Sequence, residues 1–273
     1  MTRGPFPGDA ARPLLALAAA LLAGAMTLGH GSVDAGLLVA VNHAAQPGAW
    51  WWAQVTTLGL GAAVLVIGSA LAPLAGHNAS RLTIALLWAI PIGGVLTHGV
   101  KALARLPRPA AVFGDGQLQV IGHALTSATN SMPSGHALAI VALAALWWIG
   151  GAPAWQRRAL TVLAPLTALS RVAVAAHWPS DVLAGAALGT LTALVAWPLS
   201  AWGNARRQSV VARIAAVAVP ALAGAWLLSG GTEQPQAEVT RHELAALGFG
   251  VAVAQVARFL GVRRLAQAWS RER

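Results

Sequence analysis

Long apolar stretches separated by short polar segments dominate this chain. A helix that crosses a bilayer needs about 20 predominantly apolar residues. Eight stretches approach that length and predict transmembrane helices at residues 13–28, 53–74, 82–103, 134–149, 159–176, 182–199, 210–228 and 244–260. Residues 37–42 are too few to cross and are expected at the membrane interface. The pattern therefore predicts an all-α, multi-pass transmembrane helix bundle.

The composition supports a membrane location. Of the 273 residues, 57% are hydrophobic and 10% are charged, whereas a soluble domain averages roughly 25% charged residues. Charged residues are too few to cover the surface of a soluble protein. The apolar excess is therefore expected to face membrane lipids and other helices. The chain has no cysteine, which excludes disulfides and thiolate metal sites.

The net charge of +10 bears on orientation and partners. In a soluble protein this charge would suggest a nucleic-acid partner. In a membrane protein it indicates the excess of basic residues on the cytoplasmic side, so we expect no nucleic acid. With the N-terminus inside, the inner segments hold most of the arginines, among them Arg81, Arg157, Arg158, Arg206 and Arg207. The expected location is the cell (inner) membrane, with these arginines on the cytoplasmic side.

Three polar clusters interrupt the pattern at span ends that this topology places outside, facing the periplasm or cell exterior. They are residues 101–109 (KALARLPRP), 133–136 (PSGH) and 170–181 (SRVAVAAHWPSD). Polar groups at a membrane are costly, so they are functional candidates. These clusters contain three cations that could bind the negative oxygens of a phosphate, namely Lys101, Arg108 and Arg171.

The second and third clusters add the remaining chemistry of a phosphoryl site. Ser134 and Gly135 open a helix, whose free N–H groups favour an anion. His136 and His177 are a candidate nucleophile and proton donor. Pro179 is expected to open a helix, which places Asp181 in the first turn near His177. A carboxylate there would fix the imidazole tautomer.

The spacings K-x6-R-P, P-S-G-H and S-R-x5-H-x3-D resemble the type 2 phosphatidic acid phosphatase family, which also includes the vanadium haloperoxidases. Every fixed position is present across residues 101–181. The resemblance implies that His177 attacks phosphorus to form a phosphohistidine, that His136 protonates the leaving oxygen and that Asp181 orients His177. It implies that the phosphate oxygens are held by Lys101, Arg108, Ser134, Gly135 and Arg171.

The predicted organisation is a six-span phosphatase core followed by an extension. Residues 1–204 form the core, and residues 205–273 carry two further transmembrane helices whose role the resemblance leaves open, since membrane members of the family often have six spans. Gly185 and Gly189 form a G-x3-G pattern in the sixth span, which predicts close helix packing. His30 is expected in a loop or at the membrane interface.

The expected function is a membrane lipid phosphatase that needs no metal and no cofactor, with membrane lipids and a lipid phosphate as its partners. Undecaprenyl diphosphate is the favoured substrate, and Arg105 would supply a fourth cation for it. Phosphatidylglycerophosphate, phosphatidate and lipid A are the rival substrates, and a lipid phosphotransferase is the nearest alternative enzyme. The non-enzymatic alternative is a transporter or structural membrane protein.

Overall fold

A computed structural model describes residues 10–114, 116–201, 205–230 and 233–261, with side chains from residue 209 onward in the third range. This part of the chain is all-α and contains no strand, which confirms the predicted fold class. Its helices are α1 (Ala11–Leu28), α2 (Ser32–Ala45), α3 (Ala49–Thr57), α4 (Gly61–Leu71), α5 (Ala79–Ala104), α6 (Gly135–Ile149), α7 (Ala154–Ala173), α8 (Pro179–Leu199), α9 (Ala205–Ser229) and α10 (Glu238–Phe259). The side chains of Arg206 and Arg207 lie outside the described residues.

Each predicted span coincides with helical structure, but the lengths vary. By length and composition, four described helical segments suit a bilayer: Ala11–Leu28, Gly76–Ala111, Pro179–Leu199 and Ser209–Ser229. The predicted span 53–74 is not one continuous helix. It is interrupted between Ser32–Thr57 and Gly61–Leu74, which meet at a bend of 67°. The fold is a multi-pass membrane bundle, and the number of eight crossings stays a prediction.

Helix α8 is the centre of the core and packs against α1, α5 and α6. The predicted close approach at Gly185 and Gly189 is confirmed. A Cβ at Gly185 would collide with the carbonyl oxygen of Ser134, and one at Gly189 with that of Leu138. These two glycines therefore let α8 lie directly on the backbone at the start of α6, where the second polar cluster begins.

The remaining helices enclose this core. Residues 37–42 lie within α2, where Leu38 and Asn42 are fully buried. These two side chains face the bundle, where Asn42 donates to the carbonyl of Ala173 at 2.8 Å, whereas Leu37 is exposed. The position of this segment at the membrane interface stays a prediction. Helices α9 and α10 pack on each other and on α4, so the extension joins the bundle directly.

The two ends of α8 differ in chemistry. At its C-terminal end, Arg81 donates to Ser200 Oγ at 3.2 Å and lies over the Trp197 ring. At its N-terminal end lies Asp181, in the first turn. A helix of this length spans about 30 Å, so Arg81, one of the arginines of the predicted inner face, and the motif residue Asp181 occupy opposite ends of the bundle.

Candidate active site

The third cluster forms a tight connection between α7 and α8. Helix α7 ends just after Arg171, and the backbone N–H of His177 donates to the Arg171 carbonyl at 3.1 Å. Pro179 then occupies the first turn of α8 and starts the helix. The result places His177 Nδ1 3.3 Å from Asp181 Oδ2, as the spacing predicted.

The Asp181 carboxylate is fully buried and is the hydrogen-bond centre of the site. Its Oδ2 accepts from the backbone N–H of Trp178 at 3.0 Å and from Ser131 Oγ at 2.5 Å. Its Oδ1 lies 2.9 Å from Nε2 of His30, whose ring stacks on Trp178. His30 does lie in a loop, between α1 and α2, but it belongs to the site, which the sequence did not reveal.

Asp34 is a second buried carboxylate that the motifs do not include. It accepts from the backbone N–H of Ser180 at 3.0 Å and from Ser180 Oγ at 2.5 Å. It also accepts from the backbone N–H of His30 at 3.1 Å. Asp34 thus fixes the loop that carries His30 to the start of α8. The one sequence feature that could have drawn attention to Asp34 is the rarity of acidic residues, of which the chain has eight.

Two basic side chains of the first cluster, those of Arg108 and Lys101, lie close to the other two clusters. Arg108 NH1 donates to the carbonyl of Ala176 at 3.0 Å and lies 3.4 Å from His177 Nε2. Lys101 Nζ donates to the carbonyl of Asn130 at 2.7 Å, in the segment that leads to α6. A phosphoryl group next to His177 Nε2 would therefore meet the Arg108 guanidinium.

The second cluster opens α6 as expected. Ser134 is the N-cap of that helix, and its Oγ accepts from the backbone N–H of Ala137. Its own backbone N–H donates to the Asp181 carbonyl at 3.0 Å, which joins the second and third clusters. A Cβ at Gly135 would approach Thr97 no closer than 3.8 Å. No protein contact requires a glycine there, so its role in ligand approach stays a prediction.

His136 lies in the first turn of α6 against the break between α3 and α4. A Cβ at Gly59 would come within 3.0 Å of the His136 side chain and 2.7 Å of Thr167. The break therefore brings a glycine backbone against the imidazole. The helix predicted over residues 53–74 is therefore interrupted where Gly59 packs against His136.

Arg171 is 1% exposed and has two side-chain partners from distant parts of the chain. Its NH1 donates to Thr56 Oγ1 at 2.8 Å, and its NH2 donates to Glu233 Oε2 at 2.9 Å. Its Nε has no hydrogen-bond partner within the described residues. The motif predicted Arg171 itself but neither Thr56 nor Glu233, because partners of this kind leave no local sequence pattern.

The environment of His177 favours a neutral imidazole. Burial lowers its pKa, the Asp181 carboxylate partly opposes this, and the charges of Arg108 and Arg171 lower it further, to about 4. An ionised carboxylate only accepts hydrogen bonds, so Nδ1 carries the proton that faces Asp181. The Nε2 lone pair then faces Arg108, on the side where a phosphate would bind.

Arg105 does not join this group of cations. It is exposed at the C-cap of α5, where its Nε donates to the carbonyl of Ala102 at 3.2 Å. The structure therefore gives no support for a fourth phosphate ligand at Arg105.

An apolar cleft of about 220 Å³ adjoins the second cluster between α4, α5 and α6. Gly135, Thr97 and His98 line one part of it, and side chains such as Leu86 and Leu143 line the remainder. Such a cleft suits a hydrocarbon chain whose polar head lies at the start of α6.

Comparison with known proteins relates this geometry to a family. Residues 82–205, which include all three clusters, match the sequence model of the PAP2 superfamily. The chain is also similar to a protein of Porphyromonas gingivalis named lipid A 1-phosphatase, with 38% identity over 102 residues. This match covers 37% of the chain and 19% of that protein. No solved structure matches the chain.

Proposed function

The chain belongs to the PAP2 superfamily through residues 82–205, and from this premise we propose that it is an integral membrane phosphatase that removes phosphate from a lipid. One observation carries the proposal. A buried, neutral His177 is oriented by Asp181 and lies 3.4 Å from the Arg108 guanidinium. This arrangement offers a nucleophilic nitrogen beside a cation that binds phosphate oxygens.

The proposed reaction has two steps. His177 Nε2 attacks the terminal phosphorus, the bond from that phosphorus to the leaving oxygen breaks, and His136 donates a proton to that oxygen, which is the ester oxygen of a monophosphate or the bridging oxygen of a diphosphate. Asp181 stabilises the imidazolium of the phosphohistidine. Water then attacks phosphorus as His136 accepts its proton, the bond from phosphorus to Nε2 breaks to regenerate neutral His177, and inorganic phosphate leaves. The phosphate oxygens are held throughout by Lys101, Arg108, Arg171 and the N-terminal turn of α6 that Ser134 and Gly135 open.

The lipid has two candidates. An isoprenoid diphosphate, undecaprenyl diphosphate, is the first, because the site is proposed to face outward, where that lipid is left when cell-wall polymers are built. Lipid A is the second, because the Porphyromonas gingivalis relative is named lipid A 1-phosphatase. The apolar cleft beside Gly135 supports either, since both combine a phosphorylated head group with long hydrocarbon chains.

Phosphate release from a lipid panel tests the proposal. The purified protein would be given undecaprenyl diphosphate, lipid A, phosphatidylglycerophosphate and phosphatidate in one detergent, each with EDTA. We expect inorganic phosphate from at least one lipid, because basic side chains meet the charge that a metal would otherwise meet. No release from any lipid would contradict the function, and transfer to a lipid acceptor would indicate a phosphotransferase. Activity lost in EDTA and restored by magnesium would contradict metal independence.

The acid limb of the pH profile is expected well below the usual range for histidine. His177 must be neutral to attack, and its pKa of about 4 keeps it neutral at pH 6. An unshifted histidine, with a pKa near 6.5, would be largely protonated at pH 5.5. The measurement is kcat/KM between pH 4 and pH 9, because this ratio reports the ionisation of the free protein and the free substrate. The pKa values of the substrate are determined separately by phosphorus NMR, and an acid-side half-maximal point near pH 6.5 that they do not account for would contradict this prediction.

We propose that the site faces the periplasm or cell exterior, because the arginines of the predicted inner segments include Arg81 and Arg157 at the opposite end of the bundle. Two exposed alanines allow a matched test in this cysteine-free chain. Ala124→Cys lies in the segment between the first and second clusters, and Ala154→Cys lies at the start of α7. A membrane-impermeant maleimide applied to cells with a permeabilised outer membrane should label only Ala124→Cys. Labelling of Ala154→Cys alone would reverse the orientation.

A further inference from the structure

Glu233 brings a negative charge from the extension into the candidate active site. It lies between α9 and α10, and its Oε2 accepts from Arg171 NH2 at 2.9 Å. Its side chain is 38% exposed, whereas that of Arg171 is 1% exposed. The second partner of Arg171, Thr56, is buried. Glu233 is therefore the partner of Arg171 that an entering ligand can replace.

The charge of Glu233 resembles that of a bound phosphate oxygen. Burial favours a raised pKa for this carboxyl, but the charge and hydrogen bond of Arg171 and the charge of Arg108 lower the pKa overall. Glu233 is thus an anion in the free protein. It interacts with the same two guanidinium groups that are proposed to hold the substrate.

The backbone at Glu233 and in the residues that follow it is anchored. The N–H of His123 donates to the Glu233 carbonyl at 2.8 Å, and Gln234 Nε2 donates to the carbonyl of Ile121 at 3.0 Å. Further along, Gln54 Nε2 donates to the carbonyl of Gln236 at 3.0 Å. With these bonds in place, the carboxylate can leave Arg171 by rotation of its own side chain while the loop stays attached.

We propose that Glu233 competes with phosphate for Arg171 and so sets the affinity of the site for phosphoryl groups. In the free protein the carboxylate binds Arg171, and an entering phosphate displaces it. After hydrolysis the carboxylate returns to Arg171 and favours release of inorganic phosphate. This inference rests on the proposed phosphatase site and deepens it, because it makes Glu233, a residue contributed by the extension, a regulator of ligand affinity at that site.

The competition lowers the affinity for every phosphoryl ligand. Each ligand must displace the same carboxylate, so only ligands with further contacts still bind at low concentration. A lipid has hydrocarbon chains that can bind the apolar cleft near Gly135, and a diphosphate has additional charge. Inorganic phosphate has neither of these. Glu233 is therefore expected to raise the Kd for inorganic phosphate, which limits product inhibition, while the further contacts of the lipid keep the substrate bound.

Direct titration of inorganic phosphate tests the inference without any turnover. Calorimetric titration of the full chain in detergent would compare the wild type with Glu233→Gln and Glu233→Ala, with thermal unfolding of each to verify folding. A charged hydrogen-bond partner is lost, so both variants should bind phosphate about tenfold or more tightly than the wild type. Glu238→Gln is the matched control, because Glu238 is exposed and lies 3.7 Å from Arg241, outside the site. It removes the same charge and should bind like the wild type.

Equal or weaker phosphate binding by folded Glu233→Gln would overturn the inference and make Glu233 a residue that orients Arg171. Equal tightening by Glu238→Gln would also overturn it, because net charge alone would then explain the change. Failure of all four proteins to bind phosphate would count against it too. The predicted order of affinities combined with no release from any lipid would instead contradict the proposed function and leave the competition for Arg171 intact.

Discussion

Replacement of His177 by alanine is expected to remove nearly all phosphate release, by about 10⁴-fold or more. The imidazole supplies the atom that attacks the lipid phosphate in the first step, and the adjacent guanidinium of Arg108 offers no nucleophile to replace its Nε2. Loss of the proton donor His136 is less severe, at about 10²–10⁴-fold, because a positioned acid accelerates a reaction that still proceeds without it. The measurement is kcat with the best lipid of the panel.

The controls separate chemistry from folding. His242→Ala removes an exposed histidine on α10 and should retain wild-type turnover. A rapid acid-labile phosphoenzyme signal from labelled substrate should appear with the wild type and His242→Ala and be absent with His177→Ala. A folded His177→Ala protein with near-wild-type turnover would eliminate His177 as the nucleophile.

The local part of the site could be predicted because its spacing is local. Pro179 starts a helix, and Asp181 then falls in its first turn beside His177, so the distance of 3.3 Å follows from sequence neighbours. The G-x3-G pattern at Gly185 and Gly189 likewise predicts close packing, since only residues without a Cβ allow a helix to lie on another backbone.

Long-range partners could not be predicted in this way. His30 and Asp181 are 151 positions apart, and Arg171 and Glu233 are 62 apart. No periodicity links such residues, and a histidine or carboxylate in a polar loop is ordinarily solvated. The break near Gly59 could not be predicted for a related reason. Hydropathy averaged over a stretch of residues measures apolar content and does not detect a bend of 67°.

Replacement of Asp181 by asparagine is expected to lower kcat by about 10⁴-fold while the fold is retained, by analogy with the aspartate of a Ser-His-Asp triad. Three donors converge on Oδ2, from Ser131, Trp178 and His177, and an amide oxygen at that position can still accept from them. The amide nitrogen would then face His30, which can present a ring lone pair in one tautomer. The substitution thus removes charge with little change of shape.

The missing charge acts at the phosphohistidine step, because the imidazolium that forms on His177 loses the anion that stabilises it. Ser131→Ala provides a graded comparison, since it deletes one hydrogen bond to Asp181 and keeps the carboxylate charge. A single bond to a charged group is worth about 1.5–3 kcal/mol, so Ser131→Ala is expected to cost less, about 10- to 100-fold. Thermal unfolding measures the stability of both variants. If folded Asp181→Asn retains more turnover than Ser131→Ala, the charge of Asp181 is not what activates His177, and its role is limited to holding the start of α8.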